Sequence, residues 1–393
     1  MDSARRLRVL MLNYEYPPLG GGGGVVTRDL AESMAGKADV TVLTSHRKGL
    51  ERDARLNGVR VVRTPVLLRK ENATASLPSM LSYFPSSLKT GRRLLEAEPF
   101  DLVHSFFAVP SAPSGVLLAR RAGLPHVLSI MGGDIYDPTK RLSPHKTPLL
   151  KQTVRWAMRR SVRVVAESKD IAARAEEYYG VEGVERIPHG YQPFEFRACK
   201  RTELGLGLED EHCVLVAVGR LVARKGLEQL VEIVAGIPDP GVRLLIVGDG
   251  PMRGPLQAQA RELGAEGRIL FPGFVAEELK WQILSNSDAF VYTTLHEGFG
   301  IVYLEAMATG LPVVTYDCGG QTDFLTDEIA FLVPVGNKEK FRESLLRLIR
   351  EPELREKMSR TALGKAKEFE VDSIADAYLD LYRECLDRYR RAS

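Results

Sequence analysis

Two glutamates, Glu297 and Glu305, flank a turn that contains the glycines Gly298 and Gly300. Glycine carries no Cβ atom, so the backbone of this turn can approach a ligand closely. The residues after Gly300 are apolar and favour a helix, and the free N–H groups at the start of a helix attract an anion. Carboxylates accept hydrogen bonds from hydroxyl groups. The segment therefore predicts a site that holds a phosphate together with sugar hydroxyls, the alternative being an ordinary capped helix at the surface.

Basic residues follow a predicted strand at residues 213–219, earlier in the chain. Arg220 presents a planar fork of hydrogen-bond donors and Lys225 a point charge, so the two can neutralise a diphosphate. Loop cations of this kind are otherwise solvated surface charges. The carboxyl ends of parallel strands meet at one edge of a sheet, so we expect these cations to lie beside Glu297 and Glu305.

A run of five glycines at residues 20–24 follows the first predicted strand. Open α/β sheets bind ligands at this position, where the carboxyl ends of the strands lie. A phosphate or a sugar can approach the bare backbone there, and a flexible turn without a ligand is the alternative. The run fits neither the G-x-G-x-x-G pattern nor the P-loop pattern, so the sequence gives little support to a nicotinamide or ATP site.

Short apolar strands alternate with helical segments in both halves of the chain, which predicts parallel sheets joined by crossover helices. The first helix is predicted at residues 27–36. Turn-forming residues at 187–193 separate a first domain, residues 1–190, from a second domain, residues 191–370. A final helix at 371–393 carries apolar residues at helical spacing, and we expect it to pack back on the first domain. These apolar residues are Ile374, Ala377, Tyr378, Leu381, Cys385 and Tyr389.

The composition is that of a soluble globular protein, because 44% of the 393 residues are hydrophobic and 27% are charged. The net charge of +3 is too small to indicate nucleic-acid binding. Four scattered cysteines without metal-ligand spacing indicate a reduced, cytoplasmic chain. The apolar run after Arg8 is short and indicates a first strand rather than a signal peptide.

Apolar, aromatic and basic residues are mixed in the least regular part of the first domain, residues 64–95. Such a mixture can meet an acceptor molecule or a membrane surface. The same residues can equally belong to helices that cover the sheet. The sequence therefore leaves open a peripheral contact with the inner face of a membrane.

Together these segments resemble the retaining, nucleotide-sugar-dependent glycosyltransferases of family 4, which have the GT-B fold. The similarity covers essentially the whole chain. It implies an α/β protein of two Rossmann-like, doubly wound domains facing across a cleft, and a hexosyltransferase-like enzyme of carbohydrate or glycolipid biosynthesis. The second domain would hold the donor and the first domain the acceptor. The segments that carry the resemblance are 16–18, Gly21 and Gly22, Arg220 and Lys225, 247–251, 271–275 and 297–305.

The resemblance also implies a role for individual residues. Arg220 and Lys225 would hold the diphosphate, Glu297 the hydroxyls of the transferred sugar and Glu305 those of the ribose. Arg220, Lys225 and Glu297 would therefore be the catalytic residues. The remaining donor contacts would come from Gly21 and Gly22, from Phe274 and Val275 around the base, and from the backbone of Gly298, Phe299, Gly300 and Ile301.

The expected reaction places negative charge on a departing diphosphate, so positioned cations and amides are the main requirement. The chain has no Asp-x-Asp sequence, and we expect no metal and no cofactor. The donor is expected to be a UDP-sugar or a GDP-sugar, and the acceptor a hydroxyl of a glycan, a lipid-linked sugar or a small molecule. Retention of the anomeric configuration is implied by the resemblance alone. The sequence makes no prediction of the oligomeric state.

One position on the acceptor side departs from the family pattern. Met131 stands where the family usually has a histidine, ahead of Gly132 and Asp134, and methionine cannot exchange a proton. This leaves two alternatives open: a nucleotide-sugar-binding protein with little transferase activity, or another GT-B enzyme such as a phosphorylase or an epimerase. His104 and His296 are also expected near the cleft, each more as a structural group than as a catalytic one.

Overall fold

A computed structural model describes residues 5–69, 76–138 and 142–392 of the chain. The chain forms two compact units, one from residues 1–191 together with 371–393 and the other from residues 192–370. Each unit is built around one sheet, as the alternation of strands and helices predicts. In the described part of the chain, no helix combines the length and the apolar character needed to cross a membrane.

The first unit contains an eight-stranded sheet in the order β3-β4-β2-β1-β5-β6-β7-β8. Its strands are parallel except for β3, which is antiparallel to β4. The strands are β1 Leu7–Leu12, β2 Ala38–Ser45, β3 Asp53–Leu56, β4 Val59–Thr64, β5 Leu102–Phe106, β6 His126–Ile130, β7 Arg163–Ala166 and β8 Glu185–Arg186. The helices between them are α1 Gly22–Met34, α2 Leu77–Ala97, α3 Ala112–Ala122, α4 Pro148–Arg160 and α5 Lys169–Tyr179.

The second unit contains a six-stranded parallel sheet in the order β11-β10-β9-β12-β13-β14. Its strands are β9 Cys213–Val218, β10 Val242–Val247, β11 Ile269–Gly273, β12 Ala289–Tyr292, β13 Val313–Tyr316 and β14 Ala330–Val333. Its helices are α6 Leu227–Ala235, α7 Arg253–Glu262, α8 Glu277–Ser285, α9 Ile301–Ala308, α10 Lys338–Arg350 and α11 Pro352–Ala366. The chain then ends in α12, Val371–Ala392, which belongs to the first unit.

Both faces of the first sheet are covered by helices. Successive side chains of a strand point to opposite faces, so alternate residues pack against the helices on opposite sides. Val9 and Met11 of β1 pack in the core beneath α1 and α12. Leu10 and Leu12, which point the other way, pack with Leu94 of α2. The connections from β4 through β7 all advance in one direction across the sheet, so their right-handed crossovers place α2, α3 and α4 on the same face. Helix α2 thus covers the sheet, in agreement with the second interpretation of residues 64–95, of which residues 70–75 lie outside the described part of the chain.

The final helix packs on the first unit, as the sequence predicts. Tyr378 and Tyr382 are buried, and the Tyr382 hydroxyl lies 2.6 Å from Nδ1 of His104. The prediction is wrong for Ala377, which is exposed, while Ala375 and Leu379 are buried in its place. Ala377 is two residues, about 200° of helix rotation, from Ala375, and so points away from the sheet.

Candidate active site

All strands of the second sheet run in the same direction, so the loops after them meet at its carboxyl edge. Arg220 follows β9 and Phe274 follows β11. The turn that contains Gly298 and Gly300 lies between β12 and α9. The topology therefore brings the predicted donor residues of this unit to one edge.

Lys225 and Glu297 form a buried ion pair at this edge. Lys225 is 7% exposed and Glu297 is 8% exposed. The Lys225 ammonium also lies 4.9 Å from the centre of the Tyr292 ring, a cation–π contact. A solvated surface position, the alternative for Lys225, is therefore wrong.

The pair stays charged because each partner supports the other. Burial alone would raise the pKa of Glu297, but the charges of Lys225 and Arg224 and a hydrogen bond from Lys225 outweigh it, so this pKa lies below its usual value. Burial alone would lower the pKa of Lys225, but the charge of Glu297 outweighs it and the pKa is raised. The site therefore holds a carboxylate and an ammonium ion throughout the neutral pH range.

Two hydrogen bonds between neighbouring loops bring Lys225 to Glu297. The Thr293 hydroxyl donates to the Gly226 carbonyl oxygen at 2.8 Å, and the Leu295 amide donates to the Arg224 carbonyl oxygen at 2.9 Å. Gly226 has a φ of +57°, and a Cβ atom there would lie 2.4 Å from the Thr293 carbonyl oxygen. Only glycine suits this position, because both the backbone conformation and the close approach exclude a side chain.

The loop after β13 fixes Glu297 from the other side. Gly320 donates its amide hydrogen to the Glu297 carbonyl oxygen at 2.9 Å. A Cβ atom at Gly319 would lie 2.0 Å from the same oxygen. Sequence reasoning missed this support, although two consecutive glycines after an apolar strand were a signal for it.

Helix α9 begins directly behind the turn, with Gly300 as its N-cap residue at a φ of +88°. Phe299 is buried against Phe324, with ring centres 4.9 Å apart, so the turn is anchored in the core. The Tyr303 amide donates to the Gly300 carbonyl oxygen at 3.0 Å, so the amides of Ile301 and Val302, which precede it, are those that can bind an anion. The phosphate cradle that the resemblance implies stays a prediction.

Glu305 lies further along α9 and is held by a residue that sequence reasoning missed. Lys280 of α8 donates to Oε1 of Glu305 at 2.8 Å and also pairs with Glu277 at 2.6 Å. Burial would lower the pKa of Lys280, but the charge of Glu305 outweighs it and the pKa is raised. The spacing of Glu277 and Lys280 indicated a helical ion pair, but nothing in the sequence linked Lys280 to Glu305.

Arg220, Phe274 and Val275 lie on the rim of this edge. Arg220 is exposed, and its side chain forms no ion pair or hydrogen bond with any residue that the structure describes. Phe274 is 86% exposed, and Val275 is half-buried. Their positions leave a cation and an aromatic ring available to a ligand.

The glycines in the run of the first unit differ in their surroundings: some are packed against side chains and others face open space. Gly20 has a φ of +101° and packs on Glu15, and a Cβ atom at Gly23 would lie 2.4 Å from the Phe107 ring. Beside Gly21 and Gly22, in contrast, the space is open for 4 Å. Helix α1 begins at Gly22, not at residue 27 as predicted, because packing outweighs the low helix propensity of glycine. Gly21 and Gly22 are therefore the glycines that a ligand can approach.

The residues predicted on the acceptor side follow β6. Asp134 is buried, and it accepts hydrogen bonds from the backbone amides of Met131, at 2.8 Å, and Ala108. It therefore ties the loop after β5 to the loop after β6. Gly132 has a φ of +73°, and Met131 is half-buried against the core beneath α12.

His104 is a structural group. It is fully buried, with Nδ1 bound to Tyr382 and Nε2 lying 2.9 Å from the Ser129 hydroxyl. Burial, assisted by nearby His126, holds the pKa of His104 well below its usual value, so the ring is neutral. His296 is also buried, and its carbonyl oxygen accepts from Arg224 at 3.1 Å.

Known structures with this architecture are GT-B glycosyltransferases. Sucrose-phosphate synthase from Thermosynechococcus elongatus superposes with a TM-score of 0.82 at 18% identity, covering 98% of this chain and all of that one. Anabaena HepE, solved with UDP and glucose, superposes with a TM-score of 0.78 at 21% identity, covering 96% of this chain and all of that one. These likenesses establish the GT-B fold.

The sequence matches two glycosyltransferase families. Residues 205–364 match the glycosyl transferases group 1, and residues 21–190 match the glycosyl transferase 4-like domain. The alpha-D-kanosaminyltransferase of Streptomyces kanamyceticus is 28% identical over 389 residues, which are 92% of this chain and 99% of that protein. The chain belongs to the family 4 glycosyltransferases, within the EC 2.4 class of transferases.

Proposed function

We propose that the protein transfers a sugar from a nucleotide diphosphate sugar to a hydroxyl acceptor, with retained anomeric configuration and without a metal. The observation that carries this proposal is the buried pair of Lys225 and Glu297 at the carboxyl edge of the second sheet. It lies next to the turn that leads into α9. Anabaena HepE, which shares the fold, was solved with UDP and glucose.

Each part of the site can stabilise or bind a group that takes part in the proposed reaction. When the bond between the anomeric carbon and the phosphate oxygen breaks, its electron pair stays on the diphosphate and the sugar gains positive character. Lys225, Arg220 and the first amides of α9 stabilise the diphosphate charge. The Glu297 carboxylate accepts hydrogen bonds from the sugar hydroxyls, and Glu305 accepts from the ribose. Lys225 can contact a phosphate while paired with Glu297, because an ammonium has three donors.

The acceptor proton is proposed to pass to an oxygen of the departing phosphate. The acceptor oxygen then attacks the face of the sugar that the diphosphate leaves, which retains the configuration. This route needs no proton exchange at Met131. We propose that Met131, Gly132 and Asp134 shape the acceptor side, with Asp134 positioning the loop through its two amide bonds.

The proposed donor is a UDP-sugar or a GDP-sugar, with Phe274 and Val275 beside the base and Gly21 and Gly22 open to the ligand. The proposed acceptor is a glycan, a lipid-linked sugar or a small molecule. All four cysteines are free, and the proposal includes a cytoplasmic location at the inner face of a membrane.

The proposed reaction uses cations and amides in the place of a metal. Within residues 5–69, 76–138 and 142–392, no three His, Cys, Asp or Glu side chains are grouped so that they could hold a metal ion. We expect turnover to be the same in a chelator such as EDTA as in magnesium or manganese. A complete loss of turnover on chelation, restored by adding the metal back, would contradict the metal-independent mechanism.

The proposal is tested with the purified chain and a panel of UDP-, GDP- and ADP-sugars. A donor that binds the folded protein raises its unfolding temperature, and release of the nucleoside diphosphate reports turnover. We expect one base and sugar to give both signals. Neither binding nor turnover with any donor would refute the proposal. Tight binding without transfer to any acceptor would favour the second candidate, a donor-binding protein, for which Met131 is the supporting observation.

A further inference from the structure

Three neighbouring helices of the first unit, α2, α3 and α4, carry a large excess of positive charge. They contact one another in that order and lie on one face of the sheet. The three helices contain one acidic residue, Glu96. Their exposed cations are Lys89, Arg92 and Arg93 on α2, Arg120 and Arg121 on α3, and Arg155, Arg159 and Arg160 on α4.

These eight cations have no neutralising partner in the part of the chain that the structure describes. None of them forms an ion pair or a side-chain hydrogen bond with any described residue. Other surface helices of the same chain behave differently: Arg347 of α10 pairs with Glu351, the residue after that helix, and Arg383 pairs with Asp380 on α12. With eight exposed cations against one acidic residue, Glu96, which lines the groove beside Lys89 and Arg92, this face has a positive net charge and a positive field in front of it.

Apolar side chains are exposed among these cations. On α4, Val154, Ala157 and Met158 face the sheet, so Leu149 and Trp156 point outward at helical spacing. Leu149 is 73% exposed and Trp156 is 36% exposed. The large apolar residues that are exposed on the other two helices are Leu77, Leu81 and Phe84 on α2 and Leu117 on α3.

A groove of about 560 Å³ runs between α2 and α3. Lys89, Arg92 and Arg121 line it. The helices approach closely at Gly91, where a Cβ atom would lie 2.4 Å from Cδ1 of Leu118. The groove is large enough for a phosphate group, and its cations come from both helices.

From these observations we infer that the face formed by α2, α3 and α4 docks on an anionic lipid bilayer. The cations attract the lipid phosphates, and the apolar side chains enter the region between headgroups and acyl chains. Nucleic acid also attracts cations, but it offers no apolar layer for Leu149 or Leu81. The inference deepens the proposed membrane location and rests on that part of the proposed function, yet it uses no residue of the proposed active site.

The test is sedimentation of the full chain with lipid vesicles in the absence of any nucleotide sugar. We expect binding to phosphatidylcholine vesicles that contain about one third phosphatidylglycerol, release as salt is raised, and little binding to phosphatidylcholine alone. The triple variant Arg92→Glu, Arg93→Glu, Arg121→Glu should lose binding by about tenfold or more. The matched control Lys340→Glu, Lys357→Glu, Arg388→Glu makes the same charge change on exposed residues elsewhere and should keep binding.

Three outcomes would overturn the inference: no preference for the anionic vesicles, equal losses in the two triple variants, or duplex DNA that binds the same face more tightly than the vesicles do. Turnover of a nucleotide sugar is measured in parallel and should be the same in both triple variants. If the wild type binds vesicles but turns over no donor, the proposed function fails and the docking surface stands.

The two tryptophans provide an independent readout. Trp156 lies on the proposed surface, whereas Trp281 is 3% exposed in the second unit. In a Trp281→Phe variant, anionic vesicles should shift the Trp156 emission to the blue, and brominated lipids should quench it. In a Trp156→Phe variant the emission should not change. Emission from Trp156 that is unaffected by bound vesicles would exclude this face as the contact.

Discussion

The carboxyl edges of the two sheets have the same architecture but use their ionisable groups differently. At the second edge, Lys225 and Glu297 neutralise each other, and Arg220 has no partner among the described residues. At the first edge, Asp134 binds two backbone amides and His104 is bound to Tyr382 and Ser129. Ionisable groups near the carboxyl edge of such a sheet can therefore serve the fold as well as the proposed chemistry.

The comparison predicts that substitutions at the second edge act mainly on turnover, and that substitutions at the first edge act mainly on stability. The largest effect is expected for Lys225→Met. Loss of a cation that stabilises the leaving group should reduce kcat by about a hundredfold to a thousandfold. The assay is the release of nucleoside diphosphate at saturating donor.

Lys225→Met also leaves Glu297 buried without its partner, so stability must be separated from catalysis. The double variant Lys225→Met, Glu297→Gln removes both charges and should recover much of the lost free energy of unfolding without recovering turnover. Unchanged kcat in folded Lys225→Met protein would remove this residue from its proposed role.

The next effect is expected at the first edge. Asp134→Ala removes the acceptor of two buried amides and should lower the free energy of unfolding by about 2 kcal/mol. Urea unfolding measures this change, and turnover per folded molecule should fall much less than in Lys225→Met. Asp134→Asn keeps one acceptor oxygen and should lose less stability. If folded Asp134→Ala lost activity as completely as Lys225→Met, the two edges would not differ as proposed.

Acid should reduce the stability that the ion pair of Lys225 and Glu297 contributes. The pKa of Glu297 is lower in the folded protein than its usual value, so its contribution to stability is present above the usual value and is lost as the pH falls through the folded value. We expect the stability difference between the wild type and the Lys225→Met, Glu297→Gln variant to shrink below about pH 4.5. A stability difference that stays constant down to pH 3 would show that protonation of Glu297 does not change the free energy of unfolding.

The smallest effect is expected for Met131→His. The acceptor proton is proposed to leave with the phosphate, so a histidine here should change kcat/KM by less than about threefold, far below the usual contribution of a general base. The comparison is made with Met131→Leu, which keeps the volume without a titratable group. A hundredfold gain with histidine alone would assign proton transfer to this position.

Much of the fold was predictable because local patterns and tertiary structure agree. Parallel strands buried on both faces appear as short apolar runs, such as that of β9, with helical segments between them. The start of α1 was not predictable, because Gly22 and Gly23 become helical only through packing, with Gly23 against Phe107. Glycine propensity alone places them in a loop.

The place of the candidate site in the fold was predictable where its residues follow a strand in a recognisable pattern, as Glu297 and Glu305 do, while their roles stay predictions. The burial of Lys225 was not predictable, because it depends on contacts between Gly226 and Thr293, which are far apart in the sequence. The link from Lys280 to Glu305 likewise joins two helices at a distance that no local pattern encodes. Long-range contacts of this kind require the folded structure.

Helix α12 has a consequence for how the chain is synthesised. Residues 371–392 leave the ribosome after the whole second unit, yet Tyr378 and Tyr382 complete the buried core of the first. Residues 192–370 can therefore fold as soon as they emerge, while the earlier unit must wait with an apolar surface uncovered. We expect a nascent chain stalled before residue 371 to have a protease-resistant second unit, a sensitive first unit and the greater need of chaperone assistance.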